Sequence, residues 1–319
     1  MKFPSCRFDF LDVAGAYALI VRASVSRQPF SFIRLGDGEG VLLSLAEDSP
    51  ERDIQYLRRH IGPVAEEGEV RLRLQQGALS SIQSADLVGV RDDIVGVTFD
   101  KRTFSAEEPE FLASFRANFN LRPPERQLGF DGARRIALLH RELSGLNFDG
   151  AQDFCSAWMH YRMHCAGLLF SLLEQHDRIG IISCRAEVPV LLSEILGLRV
   201  AYHPIPDMHR NLSTPMEDAE YLERLESILH TQLVEFPGMI FLVGGGLFGK
   251  AYCHLIKSQG GIALDVGSLL DAWVGIASRP TVYEAEHRDT PRHNGVPVTL
   301  LLNKSNVERR SPLETAEAS

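Results

Sequence analysis

The sequence predicts an α/β fold, a Rossmann-like and mostly parallel sheet flanked by helices. Three observations predict it. Strand-length apolar runs alternate with helical periodicity along the chain. The runs 178–183, 239–243 and 262–266 are continuously apolar rather than alternating, as strands covered on both faces are. Glycine-rich segments, 36–40 and 244–249, follow two of the strands, where open α/β sheets place their ligands.

Each element has its own reason. Asp9 is a capping residue ahead of a helix over 10–26. An apolar strand follows at 30–35, then a glycine-rich loop and a helical stretch at 41–46. Ser49-Pro50 has the form of an N-cap and first helical position, starting a helix to about residue 61. Residues 71–74 alternate polar and apolar and read as a strand, as does the run 94–98. Helices are expected at 107–119, stopped by Pro123-Pro124, then at 132–143 and, long and mostly apolar, at 153–173. The later helices fall at 187–196, 216–234, 247–258 and 269–276, with a strand at 198–203 and a polar loop at 204–215.

The chain has 319 residues, of which 45% are hydrophobic and 24% charged, an ordinary globular composition. A division at residue 175/176 gives a metal-loop half and a Rossmann-like half. They read as one composite unit over 1–303, followed by a polar, disordered tail at 304–319. Net charge is −9, which argues against a nucleic-acid binder but leaves room for a local phosphate site. Five cysteines without a C-x-x-C pair argue against a disulfide framework or zinc ribbon. No run reaches the ~20 apolar residues of a membrane span, and the N-terminus lacks a signal-peptide pattern. A cytoplasmic protein is expected, with a homo-oligomer left open.

Three segments could carry chemistry. In the first, Arg34-Leu35-Gly36-Asp37-Gly38-Glu39, two carboxylates at i and i+2 of an extended loop would point to one side. They could then share a Mg²⁺ or Mn²⁺ ion while Arg34 meets a phosphate or carboxylate. The alternative is a turn whose aspartate caps the next helix. The second, Gly244-Gly245-Gly246-Leu247-Phe248-Gly249-Lys250, lies between a strand and a helix, the context of a phosphate-binding glycine turn. Asp265 then sits where a dinucleotide fold keeps its ribose-binding acid. A P-loop also matches in part, but Ala251 replaces the Ser or Thr that would meet Mg²⁺. In the third, Ser268 and Asp271 have capping-box spacing.

Weaker signals surround these. Arg185, in Ser183-Cys184-Arg185 at a strand end, is a candidate phosphate contact, while Cys184 reads as an inert thiol. His160 and His164 are spaced i, i+4 without the metalloprotease glutamate and read as structural. Arg134-Arg135 reads as a solvated helix face.

Phe32–Glu39, Ile181–Arg185 and the long block Phe241–Trp273 together resemble the GT-D type of glycosyltransferase, a Rossmann-like family with an Asp-x-Glu segment. The resemblance runs in order over about 30–280 and is loose between 46 and 153. It implies sugar transfer from a nucleotide-diphosphate donor, typically UDP-linked, to a glycan or glycoprotein acceptor in surface glycan assembly. By position, Asp37 and Glu39 inherit the family's contacts to metal and donor.

On that reading a metal at Asp37 and Glu39, with the amides of 245–249, would stabilise charge on the leaving diphosphate. Gly36, Gly244, Gly245, Gly246, Gly249, Lys250, Asp265 and Ser268 would line the donor site with Arg34 and Arg185. Glu187, Asp207, His209 and Asp271 are the candidates for an acceptor base. Two other readings stand beside it. One is an NAD(P)-dependent oxidoreductase using Gly244–Gly249 and Asp265. The other is a nucleotide-sugar binding module without turnover.

Overall fold

Strands that are apolar on both sides need cover on both sides, and two helical layers supply it. The computed structural model describes residues 9–46, 49–62, 67–91, 130–148, 150, 152–207, 218–274, 292–293 and 296–297. The N-terminal elements are β1 (Phe10–Leu11), α1 (Val13–Ser26), β2 (Phe30–Leu35), α2 (Asp37–Ser44), α3 (Glu51–Ile61), α4 (Gly68–Ser84), β3 (Leu87–Val90), α5 (Phe130–Gly145), β4 (Asp153–Ser156), α6 (Met159–Cys165) and α7 (Leu168–Leu173). Next come β5 (Arg178–Ser183), α8 (Glu187–Leu196), β6 (Arg199–Pro204), α9 (Asp218–Ser227) with the 3-10 turn Ile228–His230, β7 (Ile240–Val243), α10 (Gly249–Ser258), β8 (Ile262–Asp265) and α11 (Leu269–Trp273). A separate antiparallel pair joins β9 (Arg292–His293) to β10 (Val296–Pro297).

The main sheet has eight strands in the order β1-β4-β3-β2-β8-β7-β5-β6. Every neighbouring pair in it is parallel. The α/β expectation is thus met. Because β2 pairs with β8, strands from both halves of the chain share this sheet.

Strand periodicity sorts the core into two layers. Ile33, Leu35, Phe241 and Val243 face α2, α3, α4, α5, α9 and α10. Phe30, Phe32, Ile240 and Leu242 face α1, α6, α7, α8 and α11. This fixes where a cleft can open. From β5 the chain leaves through α8 to β6, whereas from β7 it leaves through α10 to β8, on the opposite face and in the opposite direction. Such a switch point parts the loops at the carboxyl ends of the strands.

Several elements differ from the sequence expectation. Asp12, not Asp9, caps α1, its Oδ1 accepting from Gly15 N at 2.7 Å. Phe10 and Leu11 are drawn into an edge strand beside Phe154 and Cys155. Pro50 is the N-cap of α3, and the Ser49 hydroxyl instead accepts from Ala46 N. The expected strand at 71–74 is part of α4, which buries Val70, Ala78, Ser81 and Ile82 at helical spacing. The expected helix over 153–173 is β4 followed by α6 and α7, parted at Gly167, whose φ of 72° a continuing helix would not tolerate. The helix expected over 216–234 is the shorter α9 plus its 3-10 turn. The expected strand 94–98, helix 107–119, most of the loop 204–215, the end of the last helix and the tail at 304–319 lie outside the described residues. No described helix is long and apolar enough to cross a membrane.

Candidate active-site cleft

Asp37 and Glu39 do not lie in an extended loop. Gly36 is the N-cap of α2, and Asp37 and Glu39 occupy its first turn. Glu39 turns back so that its Oε2 accepts the Gly36 N–H at 2.7 Å, satisfying an orphan donor of the helix start. Residues two apart on a helix do not face each other, so the two carboxylates diverge. Asp37 accepts from the Tyr56 hydroxyl at 3.1 Å and lies 3.6 Å from Arg135 Nε. The Arg135 guanidinium stacks 4.0 Å over the Tyr56 ring. Burial, then the Asp37 carboxylate, raises the Tyr56 pKa and keeps the phenol protonated.

Glu39 looks inward to Lys250. The Lys250 Nζ lies 2.7 Å from Glu39 Oε1, 3.2 Å from Asp265 Oδ2 and 3.2 Å from the Gly246 carbonyl. Asp265 also receives Arg34, through Nη2 to Oδ1 at 2.9 Å and Nε to the backbone carbonyl at 2.8 Å. Two cations and two anions thus form one compensated cluster beneath the cleft, as buried charge requires. Burial raises the Asp265 carboxyl, but Arg34 and Lys250 outweigh it and the net shift is downward. Burial lowers the Lys250 ammonium, yet Asp265 and Glu39 carry it upward overall. Arg34 Nη1 also donates to His160 Nε2 at 3.0 Å. Burial and then Arg34 hold His160 far below its usual pKa, so the ring is a neutral acceptor. Gly267 makes room for this arrangement: with φ at 48°, a Cβ there would stand 1.9 Å from Arg34 Nη2.

The second cluster lies across the cleft. Arg185, after β5, donates from Nε to Asp271 Oδ1 at 2.6 Å and from Nη1 to Asp207 Oδ2 at 2.9 Å. Burial above all pushes the neighbouring Cys184 thiol up to about 11, so it is no nucleophile at neutral pH. The glycine turn closes the third side. Gly244 N donates to Ile182 O, tying the turn to β5. Gly246 adopts φ 51°, and Leu247 packs on Gly38, where an added Cβ would lie 3.0 Å from Leu247 Cδ2. The turn and the start of α2 therefore touch.

The resulting cleft, about 180 Å³, is lined by Arg34, Gly36, Asp37, Glu39, Arg185, Gly244, Gly246, Lys250, Ser268 and Asp271 among the residues singled out in the sequence. Three others are not in its lining. Gly245 packs under the Tyr252 ring, Gly249 opens α10 beside Val243, and Asp265 is 2% exposed under Arg34 and Lys250. A dinucleotide reading needs Asp265 to reach a ribose, and its carboxylate is turned away into the charge cluster. Ser268 is the N-cap of α11 but makes no side-chain cap; its hydroxyl meets Tyr161 Oη at 2.6 Å. Of the candidate bases, Asp207 and Asp271 border the cleft, Glu187 is exposed on α8 away from it, and His209 lies outside the described residues.

Sequence reasoning missed Tyr56, His60, Arg91 and Trp158, which also line the cleft. Arg91 stacks 4.7 Å over Trp158, itself stacked on Tyr161. Arg134 and Arg135 are not a solvated face. Arg134 makes a buried two-pronged pair with Asp53, at 2.7 and 2.8 Å, and Arg135 packs behind Asp37. Their signal is not local, because the partners come from α2 and α3. His160 and His164 are buried, as a structural reading requires.

The divalent ion expected at Asp37 and Glu39 does not fit this donor set. Both Glu39 oxygens are engaged, one by an ammonium, and Asp37 faces another way. Among the described residues, no group of three or more His, Cys, Asp or Glu side chains is placed to hold a metal ion.

Fold and site together define a parallel α/β protein with a polar cleft at its switch point. No protein-family model matches the chain, and no curated protein matches it. Among solved structures it is similar to a selenomethionine-substituted domain of unknown function, DUF1792. The identity is 13% and the TM-score 0.47, covering 84% of this chain and 81% of that one.

Proposed function

We propose that this protein transfers a sugar from a nucleotide-diphosphate donor, UDP-linked in the first instance, to a glycan or glycoprotein acceptor. One observation carries the reading. The three segments that resemble the GT-D family in sequence are far apart in the chain, yet all three contribute to one cleft. They bring to it the start of α2, the Arg185 loop, the glycine turn and the Ser268–Asp271 segment.

The chemistry follows from charge. Cleaving the anomeric C–O bond leaves the electron pair and negative charge on the departing diphosphate. The N–H groups and dipole at the start of α2 and the Arg185 guanidinium are suited to that charge. The acceptor hydroxyl forms the new C–O bond and loses its proton. Of the four candidate bases, Asp207 and Asp271 border the cleft, both bonded to Arg185, and are the ones assigned to take it. If Arg185 turns to a phosphate, it releases a carboxylate at the moment a base is needed.

A thermal-shift screen of nucleotide sugars tests the proposal, since a ligand bound only by the native state adds about 2.7 kcal/mol of stability at a hundredfold excess over Kd. A rise in Tm with one UDP-sugar, followed by its consumption with an acceptor, is the expected result. Absence of any shift with every nucleotide sugar at millimolar concentration would remove the reading. Binding without consumption would reduce the protein to a binding module.

A further inference from the structure

We propose that the ammonium of Lys250 takes the place of a divalent cation in this cleft, so that its Asp-x-Glu segment binds no metal. The argument starts from direction. On a helix, residues at i and i+2 point about 160° apart, and Asp37 and Glu39 are two apart in the first turn of α2. Glu39 faces Lys250 and Asp37 faces Tyr56. A cation held by both would need Glu39 to leave Lys250 or Asp37 to leave Tyr56.

The second argument is saturation. An ammonium has three N–H donors, and Lys250 Nζ has three acceptors: Glu39 Oε1 at 2.7 Å, Asp265 Oδ2 at 3.2 Å and the Gly246 carbonyl at 3.2 Å. The other Glu39 oxygen takes the Gly36 N–H at 2.7 Å. A Mn²⁺ or Mg²⁺ ion bound to Glu39 at about 2.1 Å would stand within a few ångströms of a buried positive charge. The cluster is neutral without it, since Arg34 and Lys250 balance Glu39 and Asp265. Lys250 is 5% exposed, so its ammonium is held at these three acceptors with little water to compete.

Lys250 is therefore a positioning residue. It fixes Glu39, which through Gly36 fixes the start of α2 that faces the donor. This last role rests on the nucleotide-sugar reading; the exclusion of metal does not.

Two measurements decide the proposal separately from that reading. The first is the electron paramagnetic resonance signal of aqueous Mn²⁺ titrated with the wild-type protein alone. The expected result is an undiminished free-ion signal at millimolar Mn²⁺. Stoichiometric loss of signal that Glu39→Gln abolishes would overturn the proposal. The second is calorimetric UDP binding in chelator and in Mn²⁺, corrected for the Mn²⁺–UDP complex in solution. Affinities within about twofold of each other are expected. A gain of about tenfold or more with Mn²⁺ that Glu39→Gln removes would also overturn it. If UDP binds in neither condition, the functional reading fails, and the Mn²⁺ titration still decides the proposal.

Discussion

Replacing Lys250 by methionine removes one positive charge and little else. Methionine is a good helix former of similar length, so the second residue of α10 keeps its backbone and most of its packing. Asp265 keeps Arg34 at 2.9 Å, whereas Glu39 is left 6% exposed with only the Gly36 N–H. At an effective dielectric constant of 20, the contacts of 2.7 and 3.2 Å correspond to attractions of about 6 and 5 kcal/mol before desolvation is subtracted. Removing one partner of a buried pair costs about 3–5 kcal/mol in practice. Equilibrium unfolding in urea at pH 7 should show that loss as a lower midpoint at unchanged slope. The double variant Lys250→Met/Glu39→Gln should recover at least about half of it, because the stranded charge is gone. A loss below about 1 kcal/mol in the single variant, or no recovery in the double, would refute the compensated cluster.

Other consequences are equally concrete. Burial takes the His164 pKa to about 3 against 6.5 unfolded, so the unfolded chain binds its proton first. The stability this neutral ring contributes is complete above pH 6.5 and is lost as pH falls, by about 1.4 kcal/mol per pH unit. His164→Gln, which keeps an acceptor for the Trp273 indole N–H, should flatten the pH 6 to 4 stability slope by one proton. Gly40→Ala would place a Cβ 2.0 Å from the Arg135 carbonyl. Prying α2 from α5 should cost about 1–3 kcal/mol, measured by chemical denaturation, and displace Arg135 from Asp37. Asp53→Asn should cost about 3–5 kcal/mol by stranding buried Arg134; a change within 0.5 kcal/mol, typical of surface sites, would show the pair to be solvated.

The central strands were legible because burial on both faces leaves an unbroken apolar run, and 178–183 coincides with β5. The helix start at Gly36 carried its own sign, a glycine followed three residues later by a glutamate, but the glycines around Asp37 read equally as a loop. In α4, the run Arg71-Leu72-Arg73-Leu74 imitates a strand over four residues, while its helical burial emerges only over Val70 to Ile82. β4 has only Phe154 and Cys155 between the polar Asp153 and Ser156, and Gly89 interrupts the short apolar run of β3, so neither shows the unbroken run that marks β7. The site was legible as three motifs at strand ends. Its wiring was not, because the pairs are long-range: Arg34 with Asp265, Glu39 with Lys250, Asp53 with Arg134 and Arg185 with Asp271. Sequence marks a residue as able to bear charge; only the fold determines which opposite charge it meets.

The switch-point cleft is proposed as a nucleotide-diphosphate site with Arg185 as its phosphate contact. Calorimetric titration of UDP into wild-type protein and into Arg185→Ala tests this most directly. Saturable one-site binding is expected of the wild type, with a loss of about ten- to a hundredfold in the variant, the worth of a charge-assisted hydrogen bond. Absence of binding at millimolar UDP, or equal affinity in both proteins, would contradict it.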